Sequence, residues 1–303
     1  MPDAAPRPWR MFLPLAAVLL LALLWTLYWF FAQGIVKTRF GEERARLATQ
    51  GLTLACAEEG WGGFPFHFEF TCNSPAVSLN GRAEVRSSKL LLAALAYAPW
   101  QVVALLDGPS TVTAAGESPV EIAHQRAVAA VTFDRDSHPR MSAEIPALSI
   151  PGVGTAAKLM LHSRPAAAGG TDIAVSVTEG NYQPEGKSPL SISQGDLLGS
   201  LQSASALKIE NVTLQNGSVR YWGSGTVALD AAHRISGRLE TETNDLDGLL
   251  KLLRPHLEMS DEQAIALRSV LGLLGNEAKA PLIAQDGVLY LGPFKLADLK
   301  PLY

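Results

Sequence analysis

The segment Ile209-Glu-Asn-Val-Thr-Leu-Gln215, followed by Asn216-Gly217 and then by Ser218-Val-Arg-Tyr-Trp222, decides the fold class. Its first part alternates apolar and polar side chains, which is typical of a strand with one buried face. Asn-Gly supplies the positive φ angles that a two-residue hairpin turn requires. The segment therefore predicts a β-hairpin.

Two more segments repeat this pattern on either side of it. Residues 77–79 precede Asn80-Gly81 and a second run at 82–85, and residues 282–284 precede Gln285-Asp286-Gly287 and a run at 288–291. From Gly51 onwards, short runs rich in Val, Leu, Ile, Thr and Phe are separated by turn dipeptides. We predict a mainly β (α+β) fold, in which an N-terminal transmembrane helix precedes a large curved antiparallel β-meander.

Helices are expected in few places after residue 51. Apolar residues at helical spacing predict a helix over 246–257, and Ser260-Asp-Glu-Gln263 resembles a capping box that opens a second helix, ending near Leu274. These two form a predicted helical pair near the C-terminus. A third helix is predicted over 194–203.

The N-terminus carries an uncharged run, Phe12 to Ala32, of 21 residues. A helix of that length spans about 30 Å, the thickness of the hydrocarbon core of a bilayer. A cleaved signal peptide is the alternative, but its apolar region is shorter and ends in small residues, whereas this run ends in Trp, Tyr and Phe. We expect an anchor over residues 1–33, a charged juxtamembrane helix over 34–50 and a β-rich domain over 51–303.

Charge alone leaves the orientation of this anchor open. Arg7 and Arg10 precede the span, and a larger group of basic residues follows it, namely Lys37, Arg39, Arg44 and Arg46. Counted simply, the positive-inside rule favours a cytoplasmic C-terminal side, although the rule weakens for long translocated domains.

Two cysteines, Cys56 and Cys72, bear on the compartment. They lie in strand-like runs at 52–56 and 66–72, and antiparallel pairing of these runs would place the sulfurs opposite each other. Neighbouring strands supply the Cα separation that a disulfide needs. Two buried free thiols are the alternative. We predict the disulfide, and with it a domain in the periplasm, because disulfides persist outside the cytoplasm.

An aromatic cluster lies beside the cysteines: Trp61, Phe64, Phe66, Phe68 and Phe70. The four phenylalanines share one parity, so on a strand they would face one side. Core packing is one interpretation, and the wall of an apolar groove that holds an acyl chain is the other.

Composition excludes several protein classes. Of the 303 residues, 48% are apolar and 18% are charged, which excludes a disordered chain. The net charge is −4 and basic runs are absent from the sequence, so we expect no nucleic-acid partner. No catalytic motif, cofactor loop or metal-ligand spacing is found in the sequence, so we predict neither an enzyme nor a cofactor or metal site.

The residues also resemble a family. The pattern combines Gly51-Leu-Thr-Leu-Ala-Cys56, Gly63-Phe-Pro-Phe66, Cys72-Asn-Ser-Pro75 and the closing Asp286-Gly-Val-Leu-Tyr-Leu-Gly-Pro-Phe294. It looks like the uncharacterised bacterial membrane-anchored family called domain of unknown function 2125. More loosely, the architecture is similar to that of AsmA-type envelope proteins, which are associated with lipid movement. The resemblance implies topology and location and assigns no activity.

From these features we expect an inner-membrane-anchored, single-pass bacterial protein. Its periplasmic domain would bind or pass a hydrophobic ligand, which we expect to be lipid, along a β-sheet groove. The alternative is a non-enzymatic scaffold that binds another envelope protein. A similarity between residues 131–143 and 227–237 is compatible with two similar halves, about 51–190 and 191–303, or with two ordinary hairpins.

Overall fold

The computed structural model describes most of the chain. The described residues are 12–133, 139–166, 169–184, 186, 188–203, 206–256, 262, 265–266, 268–269 and 278–301. Most of the second helix predicted after Ser260 lies outside these residues, although the described positions there are helical.

A single long helix, α1, occupies Leu13–Thr49. Pro14 lies in its first turn, where a missing N–H breaks no helical hydrogen bond. The apolar run continues without interruption into the charged segment, whose ion pairs Arg39–Glu42 and Arg46–Glu43 lie one turn apart. The helix is long and apolar enough to span a membrane, and the predicted juxtamembrane helix is its continuation.

Eighteen strands follow, within the part of the chain that is described. Their bounds are β1 Leu52–Ala55, β2 Glu58–Gly62, β3 His67–Asn73, β4 Ala76–Leu79, β5 Ala83–Leu95, β6 Ala98–Ala114, β7 Val120–Ile122, β8 Ala127–Thr132, β9 Arg140–Ile150, β10 Gly154–Pro165, β11 Thr171–Tyr182, β12 Leu190–Ser203, β13 Ala206–Asn216, β14 Val219–Leu229, β15 Ile235–Thr243, β16 Ala278–Gln285, β17 Val288–Leu291 and β18 Phe294–Asp298.

The strands form one open antiparallel sheet. From β8 to β18 each strand pairs with the next along the chain. At the N-terminal side, β5 pairs with β6 on one side and with β3 and β4 on the other, and β6 pairs with β7 and β8. The predicted mainly β meander is confirmed.

The three predicted hairpins are present as β4–β5, β13–β14 and β16–β17. Asn80 and Asp286 adopt the positive φ that their turns require. The sheet is continuous across residue 190, because β11 and β12 pair along their whole lengths.

Two predictions about local structure are wrong. The strand pairing expected for the cysteine runs does not form, because β1 pairs with β4 and β3 pairs with β2. The helix predicted over 194–203 is strand β12. Gly195 and Gly199 weaken helix formation there, and pairing with both β11 and β13 favours the strand.

A second helix, α2, covers Leu246–Leu253 and ends in one 3₁₀ turn at Arg254–His256. The Asp245 carboxylate caps its N-terminus by accepting a hydrogen bond of 2.9 Å from the Gly248 N–H. Leu246 and Leu250 pack against Ala278 and Ala280 of β16. The first predicted helix of the C-terminal pair is therefore confirmed.

The described residues include few fully buried apolar side chains. The accessible surface is 19254 Å², whereas a globular monomer of 32.3 kDa exposes about 12,000 Å² by the usual scaling with mass. Fully buried apolar side chains concentrate in two clusters, one beneath α1 and one beneath α2. Within the described residues, no third cluster of buried apolar side chains lies between these two helices.

Candidate apolar groove

One face of the sheet carries rows of cross-strand neighbours that contain no charged residue. Directly paired residues of an antiparallel sheet lie on the same face, so the rows follow from the pairing register. The middle row is Phe70, Leu92, Ala104, Ala129, Ala143, Leu161, Val175, Leu197, Val212, Gly223, Thr241 and Ala280. We call this side of the sheet the apolar face.

Two further rows flank the middle row. The row nearer the β5–β6 turn is Phe68, Ala94, Val102, Val131, Met141, Ser163, Ile173, Gly199, Ile209, Gly225, Leu239, Leu282, Leu291 and Phe294. The row on the other side has two stretches, Cys72, Leu90, Leu106 and Ala127, then Ile145, Leu159, Val177, Gly195, Leu214, Tyr221, Thr243 and Ala278.

The apolar face is long. The middle row crosses twelve strands from β3 to β16, and at about 4.8 Å between neighbouring strands it measures roughly 53 Å along the sheet. On β5 to β12 every row residue except Gly195 and Gly199 is half-buried or exposed, and Met141 keeps 50% of its surface. This stretch of the face is open to a hydrophobic ligand.

From β9 to β16 the opposite face is polar, whereas on β5, β6 and β8 it is apolar too, with Leu91, Leu105 and Val128 paired across it. Ion pairs connect neighbouring strands there, including Lys158–Glu144, Arg164–Asp172 and Lys279–Glu242. Ser176 donates to the Asp196 carboxylate at 2.8 Å, and the Gln194 amide donates to the same oxygen at 3.0 Å. From β9 to β16 the sheet is therefore amphipathic across its thickness, since these ion pairs lie on the side away from the rows.

At its N-terminal end the apolar face is covered by α1. Trp29 packs on Phe68 with ring centroids 5.9 Å apart, and Phe40 packs on Phe70 at 4.6 Å. Phe68, Phe70 and Trp29 each retain less than 5% of their exposure. The helix fills this end of the face completely.

At its C-terminal end the face is covered by α2, which leaves a cleft. The cleft holds about 250 Å³ between leucines of α2 and leucines of the sheet, chiefly Leu249, Leu253, Leu214 and Leu282. Tyr221 also lines it, and burial raises the pKa of that phenol, while a hydrogen bond with Thr241 opposes the rise. The lining is almost entirely apolar, which suits an alkyl chain and not a polar metabolite.

Comparison with known proteins identifies the chain. The profile of a bacterial family described as "Uncharacterized protein conserved in bacteria (DUF2125)" matches residues 29–300. The chain belongs to this family. Comparison with curated proteins and with solved structures finds no match. The DUF2125 match begins within α1 at Trp29 and covers the whole sheet.

In this DUF2125 protein the predicted aromatic cluster is divided. Trp61 lies on β2, and Phe68 and Phe70 lie on β3 beneath α1. Phe64 and Phe66 lie in the preceding turn, because β3 begins only at His67. Of these two, Phe64 contacts Trp29 of α1 at a centroid distance of 5.2 Å, and Phe66 keeps 57% of its exposure.

Cys56 and Cys72 lie at disulfide distance, as predicted, although the two segments that carry them do not pair with each other. Cys56 follows β1, and Cys72 is the last buried residue of β3. Their Cα atoms lie 5.3 Å apart, and the sulfurs are within bonding distance. Cys72 is fully buried. The pair links the start of the domain to the strand that α1 covers.

One polar cluster resembles catalytic geometry. Ser110 Oγ lies 2.7 Å from His124 Nε2, whose ring Nδ1 lies 2.6 Å from the Gln125 carbonyl oxygen. A serine bonded to a histidine can form a nucleophile–base pair. Here Ser110 retains 5% of its exposure and also bonds Ser87 at 2.7 Å. We assign the cluster to satisfying buried polar groups between β5, β6 and the β7–β8 connection.

The row residues of β8 to β12 were not identified from the sequence. Their signal is alternation, as in Ile173-x-Val175-x-Val177, which indicates a strand with one apolar face. Alternation does not indicate which strands are neighbours, so it could not show that the apolar sides of the twelve strands in the middle row align.

Proposed function

We propose that this chain is anchored in the bacterial inner membrane by residues 12–32 and binds membrane lipid along the apolar face. The observation that carries the proposal is the set of uncharged rows that lead from α1 to the cleft under α2. A lipid acyl chain matches this surface, because it has no polar group for the rows to satisfy.

Energetics favour a hydrophobic ligand on the exposed part of the face. Removing apolar surface from water contributes about 25 cal/mol per Å², so a chain that covered about 400 Å² would contribute roughly 10 kcal/mol before the entropic cost of binding. Exposed Leu161 and Met141 in the central strands offer such surface.

An uncleaved anchor is supported by how α1 contacts the sheet. Its apolar window is only 6% buried, unlike the core helix of a soluble protein. Trp29 and Gln33, however, are buried against the domain. Removal of residues 12–32 as a signal peptide would take Trp29 away and expose Phe68.

The periplasm is the proposed compartment for the sheet. The Cys56–Cys72 pair at disulfide distance supports an oxidising environment. With the N-terminus in the cytoplasm, the protein would cross the inner membrane once and hold its sheet against the outer surface of that membrane.

The test uses the full chain in detergent, with native mass spectrometry before and after organic extraction. We expect bound phospholipid in the wild type. Leu161→Glu places a charge in the middle row and should remove most of it, since an unpaired carboxylate is costly beside an acyl chain. Leu198→Glu is the matched control, because Leu198 is 47% exposed on the polar face opposite Ala174.

Two outcomes would contradict the proposal. One is a wild-type chain that carries no lipid under these conditions. The other is a Leu161→Glu chain that folds and carries as much lipid as Leu198→Glu, because the rows would then play no part in binding.

A scaffold for another envelope protein is the second candidate. Its support is β18, which pairs only with β17 among the described strands and so offers one free edge. A partner could add a strand there. The Leu299 N–H bonds to Gly287 beside β17, so the neighbouring Asp298 N–H points to the open side of β18. Asp298→Pro would block strand addition at this edge and should abolish capture of a partner without changing lipid content.

A further inference from the structure

The loops that touch the apolar half of α1 are fixed to it by three hydrogen bonds. Trp25 Nε1 donates to the Pro65 carbonyl at 3.0 Å. Tyr28 Oη donates to the Ala96 carbonyl at 2.8 Å, and Trp29 Nε1 donates to the His67 carbonyl at 3.0 Å. The turns before β3 and between β5 and β6 are therefore attached to a defined stretch of the helix.

This stretch lies inside the uncharged run and not beyond it. Trp25 to Ala32 comprises the last eight residues of that run, or about 12 Å of helix. If residues 12–32 span the hydrocarbon core, loops bonded at Trp25 and Trp29 lie at the depth of the acyl chains and the headgroup boundary.

The same loops expose large aromatic side chains. We call Phe66, Tyr97, Trp100 and Phe133 the loop patch, and each keeps more than half of its surface exposed, from 51% at Trp100 to 63% at Tyr97. The Phe133 N–H donates to the Trp100 carbonyl at 2.9 Å, which holds these two residues side by side. Trp, Tyr and Phe in this position are typical of protein surfaces at a membrane interface.

The loop patch is continuous with the apolar face. Trp100 lies two residues before Val102, and Phe133 lies two residues after Val131, so both add a further row on the same side of the sheet. The exposed aromatic residues thus lie between the lipid-facing part of α1 and the open rows.

We propose that the loop patch is embedded in the outer leaflet of the membrane that α1 spans, so that the apolar face opens directly onto the acyl chains of that leaflet. Its occupant is the lipid bilayer. The inference rests on the proposed function for the anchor, and adds the place where lipid would pass between the bilayer and the sheet. No soluble carrier is required for that step.

The experiment is site-specific photocrosslinking in the full chain. p-Benzoylphenylalanine replaces Tyr97 or Trp100, and the protein is reconstituted in vesicles of phosphatidylethanolamine and phosphatidylglycerol that contain traces of radiolabelled phospholipid. The control position is Val153, which is 49% exposed in the β9–β10 turn. This turn lies at the opposite ends of the strands from Phe133. We expect several-fold more labelled lipid on Tyr97 and Trp100 than on Val153.

A third position, Leu161, separates this inference from the proposed function. Labelling at Leu161 without labelling at Tyr97 and Trp100 above the Val153 level would overturn the membrane contact and leave lipid binding intact. Labelling at Tyr97 and Trp100 without labelling at Leu161 would support the membrane contact and contradict the groove. Crosslinks from the loop patch to a protein in native membranes, in place of lipid, would also overturn the inference.

Discussion

The two ends of the apolar face are covered in different ways. At the α1 end, interlocking aromatic rings of the helix and β3 leave Phe68, Phe70 and Cys72 almost without exposure. At the α2 end, a helix of eight residues packs on the sheet and leaves a cleft of about 250 Å³. The chain itself fills one end, whereas the other retains room for a ligand. The difference indicates that α1 holds one end of the sheet by close packing, whereas α2 covers an apolar cleft.

The largest effect should come from loosening the α1 end. Trp29→Ala removes a side chain that is 3% exposed and packed between Phe64 and Phe68. We expect a loss of about 3–5 kcal/mol in the free energy of unfolding, as for other large aromatic truncations in cores. Unfolding in nanodiscs, followed by near-ultraviolet circular dichroism, measures it.

The matched control for this change is Phe31→Ala. Phe31 lies two residues further along the same helix and is 73% exposed, so it should change stability little. Equal losses for Trp29→Ala and Phe31→Ala would mean that α1 does not clamp the sheet.

The disulfide should contribute somewhat less to the same end. It closes a segment with a sequence separation of 16 residues that includes β2 and most of β3. We expect Cys56→Ser to cost about 2–4 kcal/mol, mainly because the unfolded chain gains freedom. A reductant should lower the melting temperature of the wild type about as much as Cys56→Ser does, and it should leave the melting temperature of the variant unchanged. A melting temperature of the wild type that ignores the reductant would refute the bridge.

The sequence could predict those features of the two ends that depend on residues close together in the chain. Local signals predicted local structure well: the uncharged run at 12–32, the Asn-Gly and Asp-Gly turns, and the leucine spacing at 246–253 each appear in the structure. Each of these depends on residues close together in the chain.

Features that depend on distant residues were missed or misplaced. Phe40 of α1 buries Phe70, which lies 30 positions later in the chain. Neither segment carries a sequence signal that identifies the other as its partner. The helix predicted over 194–203 failed for the same reason, because β12 is stabilised by its two neighbours. The alignment of rows across the sheet is set by register, which only the complete set of hairpins determines.

At the α2 end, we expect a smaller loss of stability from a substitution that loosens α2 and opens the cleft. Asp245→Ala removes the cap of α2 and should cost about 1 kcal/mol. As α2 loosens, Tyr221 becomes more hydrated and its pKa should fall back towards the ordinary value, because burial is what raises it. Spectrophotometric titration of tyrosine follows this change. Asp247→Ala is the control, since Asp247 is exposed and pairs with Arg268 instead of capping the helix. An unchanged Tyr221 titration in Asp245→Ala would show that α2 does not cover the cleft.

The smallest effect concerns the turn between β14 and β15, on strands at the α2 end. Backbone N–H groups of Arg234 and Ala232 donate to the Asp230 carboxylate, and the Arg234 guanidinium pairs with it at 2.9 Å. These bonds lower the pKa of Asp230. A lowered pKa in the folded state means that the ionised carboxylate stabilises the turn above its ordinary pKa of about 3.9, and that this contribution is lost as the pH falls through the lowered value.

Asp230→Asn should therefore unfold at a slightly lower temperature than the wild type near neutral pH. The gap should begin to narrow as the pH falls below the ordinary pKa of the carboxyl group and should close below the lowered pKa of the folded state, because the protonated wild type loses the same interaction. Parallel thermal melts across that range measure the gap. A gap that persists in acid would mean that Asp230 acts through its shape and not its charge. Trp29→Ala offers the contrast, since the aromatic contacts it removes carry no charge and its deficit should persist across the same range. A pH-dependent α2 end beside a pH-independent α1 end would show that charge contributes to stability at one end of the sheet and aromatic packing at the other.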